Sequence, residues 1–169
     1  DQFVVGVGLG VGSSYARAEG DIPWGDGYWE ISYDVAGQYF GTGTTQNNLG
    51  SYSVQPYPGS QSYIHLFSFP DINDPTAWQA FSLAYDAAGT AHTAPGKTPG
   101  AAWELLAMNH WYRFTTVIDF DANQIIYVTV TDLMTGLSDS FNPPDWYCEG
   151  GMGGGPPDPT GFRFFAGGG

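Results

Sequence analysis

The chain has 169 residues and an acidic composition: 17 Asp and Glu residues stand against 4 Lys and Arg, which gives a formal net charge of −13. Nucleic-acid binding depends on basic side chains that neutralise phosphates, so this balance argues against a nucleic-acid partner and, for the same reason, against an anionic membrane. Aromatic residues reach 17% while charged residues make up only 12%, a profile typical of secreted surface proteins.

The length and the cysteine count limit the architecture further. A chain of this length is expected to form a single domain, covering residues 1–169, with one core. Cys148 is the only cysteine, so an internal disulfide is impossible, and the side chain is either a buried apolar group or a free thiol able to pair between chains. The sequence has no run of 18 apolar residues and therefore predicts no membrane span.

The first stretch, "VVGVGLGVG", has glycine at every second position. The spacing does not fit a dinucleotide-binding fingerprint, whose third glycine would have to replace Val11 or Ser13. Alternation instead predicts a strand with one apolar face and one bare face, against which rings of this chain, a glycan or a neighbouring subunit can lie. The bare face is a candidate assembly surface, and it consists of Gly6, Gly8, Gly10 and Gly12.

Strands are also predicted along the middle of the chain. "YWEISYDV" alternates apolar and polar residues as a half-buried strand does, and "SYIHLFSF" is apolar on both sides, as a central strand is. "FSLAY" alternates as well, whereas one or two helical turns are expected around residues 101–108. The Gly/Pro-rich stretches 41–60, 90–100 and 142–159 are predicted to be connections.

The clearest pattern is "HWYRFTTVIDFDANQIIYVTVTDLMTGLSDSF". Tyr112, Phe114 and Ile118 share one face of a strand, and after a turn ending at Asn123 the partner strand offers Ile126, Val128 and Val130. A second turn at Thr135 and Gly136 returns the chain, which predicts a three-stranded meander. "TGFRFFAGGG" alternates and is expected to close a sheet.

The segment "NHWYRFTTVIDFDANQIIYVTVTDLMTG" resembles the strand, D-x-D-x-N hairpin and second strand of concanavalin A-like and laminin-G-like jelly-roll domains. The resemblance covers about thirty residues and implies an all-β fold, an antiparallel two-sheet β-sandwich. Domains of this kind have further strands at both ends, so this chain is expected to lack or exchange a terminal strand. The superfamily includes lectins, carbohydrate-binding modules, adhesion domains and some glycosidases and lyases.

Neither catalytic pattern of that superfamily is matched well. Glu30 and Asp34 are the nearest approach to the glycosidase signature, but residues four apart on a straight strand are about 13 Å apart, too far for a pair of catalytic carboxyls. The lyase pattern would need Gln61 and His65 with further basic residues, and Lys97 is the only lysine. A solvated strand face and an ordinary packed histidine explain these residues as well.

Two loops carry side chains of the kind that bind calcium. Calcium takes carboxylate and carbonyl oxygens, and the best candidate site is Asp71, Asn73 and Asp74 in "PDINDP", with the Asp119 hairpin as a weaker one. Asp and Asn also cap turns through their own side chains, so both stretches have a purely structural explanation. The histidines show no zinc-ligand spacing.

The surplus of aromatic residues suggests a binding surface, since flat rings stack on the apolar faces of sugars. The rings in Gly/Pro-rich loops are the candidates for exposure, and they are Trp24, Tyr57 and Trp146. The sequence therefore favours a secreted, non-catalytic module at a cell surface or matrix that recognises a glycan, with no cofactor other than calcium. Two alternatives remain open: a self-assembling subunit of a fibre or surface layer, whose partners are like subunits, and a divergent glycan-active hydrolase or lyase.

Overall fold

The computed structural model describes residues 16–21, 27–37, 48–55, 63–68, 76–94, 106–141, 145–154 and 161–166. This part of the chain is all β: it forms eleven strands and no helix. Within it there is accordingly no helix of the length and apolar character needed to cross a membrane. The strands are β1 Ala16–Asp21, β2 Tyr28–Ala36, β3 Asn48–Gln55, β4 Tyr63–Ser68, β5 Ala77–Tyr85, β6 Ala91–Ala94, β7 Leu106–Ala107, β8 Trp111–Asp119, β9 Gln124–Asp132, β10 Ser138–Phe141 and β11 Gly161–Ala166.

The described strands form two antiparallel sheets. The larger sheet has seven strands in the order β1-β11-β3-β4-β5-β6, with β7 paired to the beginning of β5. The smaller sheet has four strands in the order β10-β9-β8-β2. The predicted antiparallel β-sandwich is confirmed.

The core lies between the sheets and is built from aromatic rings of both. Phe114 of β8 is fully buried, and its ring lies 5.8 Å from that of Phe67 on β4 and 6.3 Å from that of Trp78 on β5. Tyr33 of β2 stacks on Phe114 at 5.5 Å and meets the edge of Phe164 on β11 at the same distance. Aromatic pairs in these geometries add to the stabilisation from burial alone.

A β-bulge interrupts the pairing of β8 with β9. Val117 pairs with Tyr127 and Ile118 pairs with Ile125, so Ile126 is an extra residue on β9. Ile126 was predicted to share the core face with Val128, and that prediction was wrong because the bulge resets the alternation. Ile125 takes the core position instead and is 2% exposed.

Residues 146–148 connect the two sheets by backbone hydrogen bonds, joining the end of β5 in the larger sheet to the start of β9 in the smaller one. Tyr147 exchanges two backbone hydrogen bonds with Tyr85 of β5, each 2.9 Å long. On the other side, Ile125 N donates to Trp146 O at 3.0 Å and Cys148 N donates to Asn123 O at 2.9 Å. Cys148 itself is buried with a free thiol whose pKa is raised by that burial.

Three stretches were assigned wrongly from sequence. Of the helical turns expected around residues 101–108, residues 106–108 form instead a strand paired with β5 and the start of a turn, and residues 101–105 lie outside the described residues. The stretches 41–60 and 90–100, predicted as connections, contain β3 and β6. Both strands are poor in the branched apolar residues that mark a strand, and their pairing with neighbouring strands overrides that local preference.

Candidate functional site

The candidate site lies on the face of the four-stranded sheet that points away from the core, which we call the outer face. Along β2 the exposed residues alternate with half-buried ones, and the register carries the same alternation onto β8 and β9. The side chains on the outer face are Tyr28, Glu30, Ser32 and Asp34 of β2, Trp111, Arg113, Thr115, Val117 and Asp119 of β8, Tyr127, Thr129 and Thr131 of β9, and Ser138 and Ser140 of β10.

Two carboxylates at one end of the outer face each meet a tyrosine hydroxyl. The hydroxyl of Tyr127 donates toward Oε2 of Glu30 at 3.5 Å, at the long end of hydrogen-bonding distance. The hydroxyl of Tyr28 hydrogen-bonds to the Asp119 carboxylate, and this contact is the main reason why the pKa of Tyr28 is raised. We call these four residues the carboxylate–tyrosine cluster.

The strand register brings the two carboxylates of the cluster together. Glu30 pairs with Val117, and Tyr28 pairs with Asp119, so Glu30 and Asp119 are diagonal neighbours on adjacent strands. Diagonal neighbours on one face are about 7–8 Å apart, and their Cβ atoms are somewhat closer. Paired carboxyl groups in hydrolases of the glycosidase type lie roughly 5–9.5 Å apart, a separation that side chains at diagonal positions can reach, so Glu30 and Asp119 are candidates for an acid and a base.

The two carboxylates differ in how firmly they are held. Oδ1 of Asp119 accepts hydrogen bonds from the backbone N–H groups of Asp121 at 3.0 Å and Ala122 at 3.2 Å. This is the side-chain capping of a turn, and it fixes the orientation of the carboxylate. Glu30 lies exposed on β2, the outermost of the described strands of this sheet, and its longer side chain can adjust to a substrate.

The rest of the outer face is a pattern of paired polar groups. Asp34 accepts two hydrogen bonds from Arg113, from Nε at 2.7 Å and from the second guanidinium nitrogen at 2.8 Å, and this contact raises the pKa of Arg113. Asp34 is therefore committed to a bidentate ion pair. The hydroxyls pair across the strands: Ser32 with Thr115 at 2.9 Å, Thr129 with Ser140 at 2.9 Å, and Thr131 with Ser138 at 2.7 Å.

Two Asp–His pairs lie away from the carboxylate–tyrosine cluster and serve turns. Asp86 accepts a hydrogen bond from His92 at 3.0 Å, and its other oxygen accepts the N–H groups of Ala88 and Thr90. The contact with His92 is the main reason why the pKa of Asp86 is lowered. His110 and Asp132 form a similar pair at 2.8 Å. Neither pair belongs to the outer face, and in each pair one carboxylate oxygen caps a turn while the other contacts a histidine.

Most of the residues predicted from sequence to bind a ligand, to assemble or to hold calcium lie outside the described residues, and the exceptions are Trp146 and the weaker calcium candidate, the Asp119 hairpin. The ring of Trp146 is half-buried, packs against the core and meets the edge of the His92 ring at 5.1 Å. Among the residues that the structure describes, no group of three or more His, Cys, Asp or Glu side chains is arranged to hold a metal ion. The predicted residues outside the described part are Trp24, Tyr57, Gly6, Gly8, Gly10, Gly12, Asp71, Asn73 and Asp74.

Sequence reasoning named both carboxylates of the cluster but did not bring them together. From sequence, Glu30 is compared with Asp34 on the same strand, and Asp119 is predicted to belong to a turn or a weaker calcium site. The informative signal was the alternation of "YWEISYDV", which places Glu30 on the polar face. The missing information was the pairing of β2 with β8, which joins residues about ninety positions apart.

The fold resembles that of known peptidases. Two solved structures of scytalido-glutamic peptidase, one with a peptide-based transition state analog and one with a transition state analog inhibitor, match this chain with TM-scores of 0.52 and 0.53. Each is 10% identical to it and covers 90% of it, while the match covers 63% and 64% of the peptidase chains. The chain therefore spans less than two thirds of their length. No protein-family model and no curated protein matches the sequence.

These matches correct the interpretation of the sequence. The expected concanavalin A-like or laminin-G-like identity was wrong, because the solved structures that share the fold are glutamic peptidases. The expectation of a non-catalytic module for glycan recognition, adhesion or filament formation was wrong as well, since the same structures are enzymes bound to transition state analogs. Local strand-and-turn chemistry, which carried the resemblance, is common to many β-sandwiches and does not separate these families.

Proposed function

We propose that this chain is a hydrolase that cleaves peptide bonds, with Glu30 and Asp119 as its acid–base pair. The observation that carries the proposal is the position of the two carboxylates, diagonal to each other on one exposed sheet face and each in contact with a tyrosine hydroxyl. The peptide substrate is suggested by the fold, which the chain shares with the scytalido-glutamic peptidase structures.

The proposed reaction needs one ionised and one protonated carboxyl. The ionised carboxylate takes a proton from a water molecule as the water oxygen attacks the carbonyl carbon of the peptide. The protonated carboxyl then gives its proton to the departing amide nitrogen as the C–N bond breaks, so the pair ends with its protonation states exchanged. Asp119 has a short side chain that two backbone hydrogen bonds hold in one orientation, so its carboxylate keeps a fixed position. Glu30 has a longer, exposed side chain whose carboxylate can move with the substrate.

The tyrosines of the cluster position the carboxylates. The Tyr127 hydroxyl reaches Glu30 from β9 across the whole width of β8, and the Tyr28 hydroxyl reaches Asp119 from the adjacent strand β2. A hydroxyl that donates a hydrogen bond to a carboxylate limits the rotation of that carboxylate. The two tyrosines would thereby keep Glu30 and Asp119 at a spacing that admits a water molecule.

The test is a cleavage assay on an unfolded protein and on a mixed peptide library, read by mass spectrometry over an acidic to neutral pH range. Glu30→Gln and Asp119→Asn should each lower kcat/KM by about 10²–10⁴, the range that general acid–base catalysis supplies. The matched control is Glu149→Gln, which changes a glutamate outside the outer face and should leave kcat/KM unchanged. Unfolding curves of all three variants separate lost chemistry from lost folding.

Retained cleavage in a folded Glu30→Gln or Asp119→Asn variant would overturn the assignment of the pair. Failure of the unaltered protein to cleave any peptide across the pH range would overturn the peptidase proposal itself. Cleavage of a polysaccharide with the same dependence on Glu30 would keep the pair and replace the substrate.

A further inference from the structure

A group of large apolar side chains is exposed at the opposite end of the outer face. Trp111 is 52% exposed, Leu133 41%, Met134 64% and Leu137 74%. Backbone hydrogen bonds hold these residues together: Leu133 N donates to Trp111 O at 2.8 Å, and Asp132 N donates to Leu137 O at 2.8 Å. We call them the apolar tip.

The apolar tip belongs to the same surface as the carboxylate–tyrosine cluster. Trp111 is on the outer face of β8, where it pairs with Ala36, and Leu133 continues the register of β9 opposite it. Single apolar residues on a surface are ordinary, but four adjacent ones at the end of a functional face are characteristic of an interaction site.

The distance between the two ends of the outer face fits an extended peptide. Val117, the partner of Glu30, lies six positions after Trp111 on β8. At the rise of a strand this is about 20 Å, which an extended substrate also covers with about six residues. Between the two ends lie the Asp34–Arg113 ion pair and the hydroxyl pairs, so the described residues of this middle region include polar groups and no large apolar side chain.

The charge of the surface favours a basic substrate. Arg113 is the cation of this face in the described part of the chain, and its charge is balanced by Asp34. Glu30, Asp119 and Asp121 leave the cluster end negative, within a chain of formal net charge −13. Such a field attracts cationic peptides and does so less at high salt.

We propose that the outer face binds an extended, cationic polypeptide that seats a leucine, methionine or aromatic side chain on the apolar tip, about six residues from the bond to be cleaved. This inference rests on the proposed function for the location of the cleaved bond. The apolar tip then acts as a remote specificity site, so that short peptides are poor substrates even when the residues at the cleaved bond are suitable.

The experiment uses basic peptides of fourteen residues that carry either leucine or serine six positions from the bond cleaved in the library assay, on each side in turn. The leucine peptide should have a kcat/KM about tenfold above that of the serine peptide, the effect expected from burial of one such side chain. Trp111→Ser and Leu137→Ser should remove that preference, and Met152→Ser should not, because Met152 is as exposed as Met134 but lies outside the apolar tip.

A second measurement separates this inference from the proposed function. The same peptides, labelled with a fluorophore, are titrated into the Glu30→Gln variant and into a Glu30→Gln, Trp111→Ser double variant, and their binding is followed by anisotropy. A leucine preference that depends on Trp111 supports the binding surface even where no cleavage is found. Cleavage with no leucine preference, or with a preference that persists in Trp111→Ser, overturns the remote site and leaves the peptidase proposal standing. Concentration-dependent dimerisation that Trp111→Ser abolishes would show instead that a second copy of the chain occupies the tip.

Discussion

Asn123 has a side-chain amide nitrogen that lies among four backbone carbonyls of one glycine-rich loop. Nδ2 is 3.3 Å from Cys148 O, 3.0 Å from Glu149 O, 2.9 Å from Gly151 O and 2.5 Å from Gly154 O. The residue is buried and has a φ of 56°, a left-handed conformation that asparagine tolerates better than most residues. One side chain thus connects the β8–β9 turn to the loop that ties the two sheets together.

Asn123→Asp is expected to lower the free energy of unfolding by about 2–3 kcal/mol. The substitution replaces the side-chain amide nitrogen, which donates hydrogen bonds, with a carboxylate oxygen that would face the same four carbonyl oxygens and repel them. Chemical denaturation at neutral pH measures the change. Asn109→Asp is the matched control: Asn109 has a φ of 63° but is exposed, so its substitution should cost about 0.5 kcal/mol or less. Equal effects at the two positions would show that the carbonyl contacts contribute nothing.

At the scale of an element, the β9–β10 hairpin depends on one carboxylate. Oδ1 of Asp132 accepts the N–H groups of Met134 at 2.8 Å and Thr135 at 3.2 Å, and Oδ2 contacts His110. Burial acts to raise the pKa of Asp132, but these hydrogen bonds outweigh it and hold the pKa below its ordinary value. A carboxyl with a lowered pKa stabilises the fold above the pKa of the unfolded chain, and that stabilisation is lost as the pH falls through the folded value.

Asp132→Asn should therefore lower the free energy of unfolding by about 1 kcal/mol at pH 7, where the charged hydrogen bond to His110 is lost. The difference from the unaltered protein should shrink as the pH falls from about 3.8 through the lower pKa of folded Asp132, because position 132 is then uncharged in both proteins. Denaturation curves at several pH values test this, with the exposed Asp145→Asn as the comparison. A difference that stays constant across the pH range would count against a role for the charge.

The strands that the sequence predicted carry local signals, whereas the strands that it missed are determined by pairing with distant parts of the chain. β2, β8 and β9 alternate strongly because one face of each lies on the core, and their turn residues, including the left-handed Asn123, are local signals. β3, "NLGSYSVQ", and β6, "AHTA", carry little of that pattern. They are strands because β11, β4 and β5 supply their hydrogen-bonding partners. The residues of β3 and β6 themselves do not indicate which strands they pair with.

For the whole molecule, the contact of the two sheets through aromatic rings predicts cooperative folding. Phe114 touches rings of both sheets and is 0% exposed. Phe114→Ala should lower the free energy of unfolding by about 3–5 kcal/mol, whereas Leu137→Ala, 74% exposed, should change it by less than about 0.5 kcal/mol.

The readout is urea denaturation followed by both tryptophan fluorescence and far-ultraviolet circular dichroism. The two signals should change together in the unaltered protein and in both variants, since neither sheet buries its inner face alone. Two separate transitions would show that the sheets fold independently and that the rings between them are not the main stabilising contact.

The sandwich itself could be predicted from sequence, but the candidate site could not. Alternation, turn residues and composition were sufficient for an antiparallel two-layer fold. The site required the neighbour relation between Glu30 and Asp119, which is set by the order of strands in a sheet and not by any spacing along the chain. For the same reason the apolar tip was not recognised, because Trp111 and Leu133 become neighbours only through the register of β8 with β9.

The bulge at Ile126 has a consequence for how the length of this strand can change in evolution. Side chains alternate between faces, and the extra residue resets that alternation, so Tyr127 points outward and Ile125 points inward although they are two positions apart. Loss of Ile126 alone would make these two residues adjacent and would leave both on their present faces, whereas loss of one residue elsewhere in β9 would turn part of the strand to the wrong face. Related chains should therefore lose a single residue of this strand at Ile126, while insertions accumulate in the outer turns.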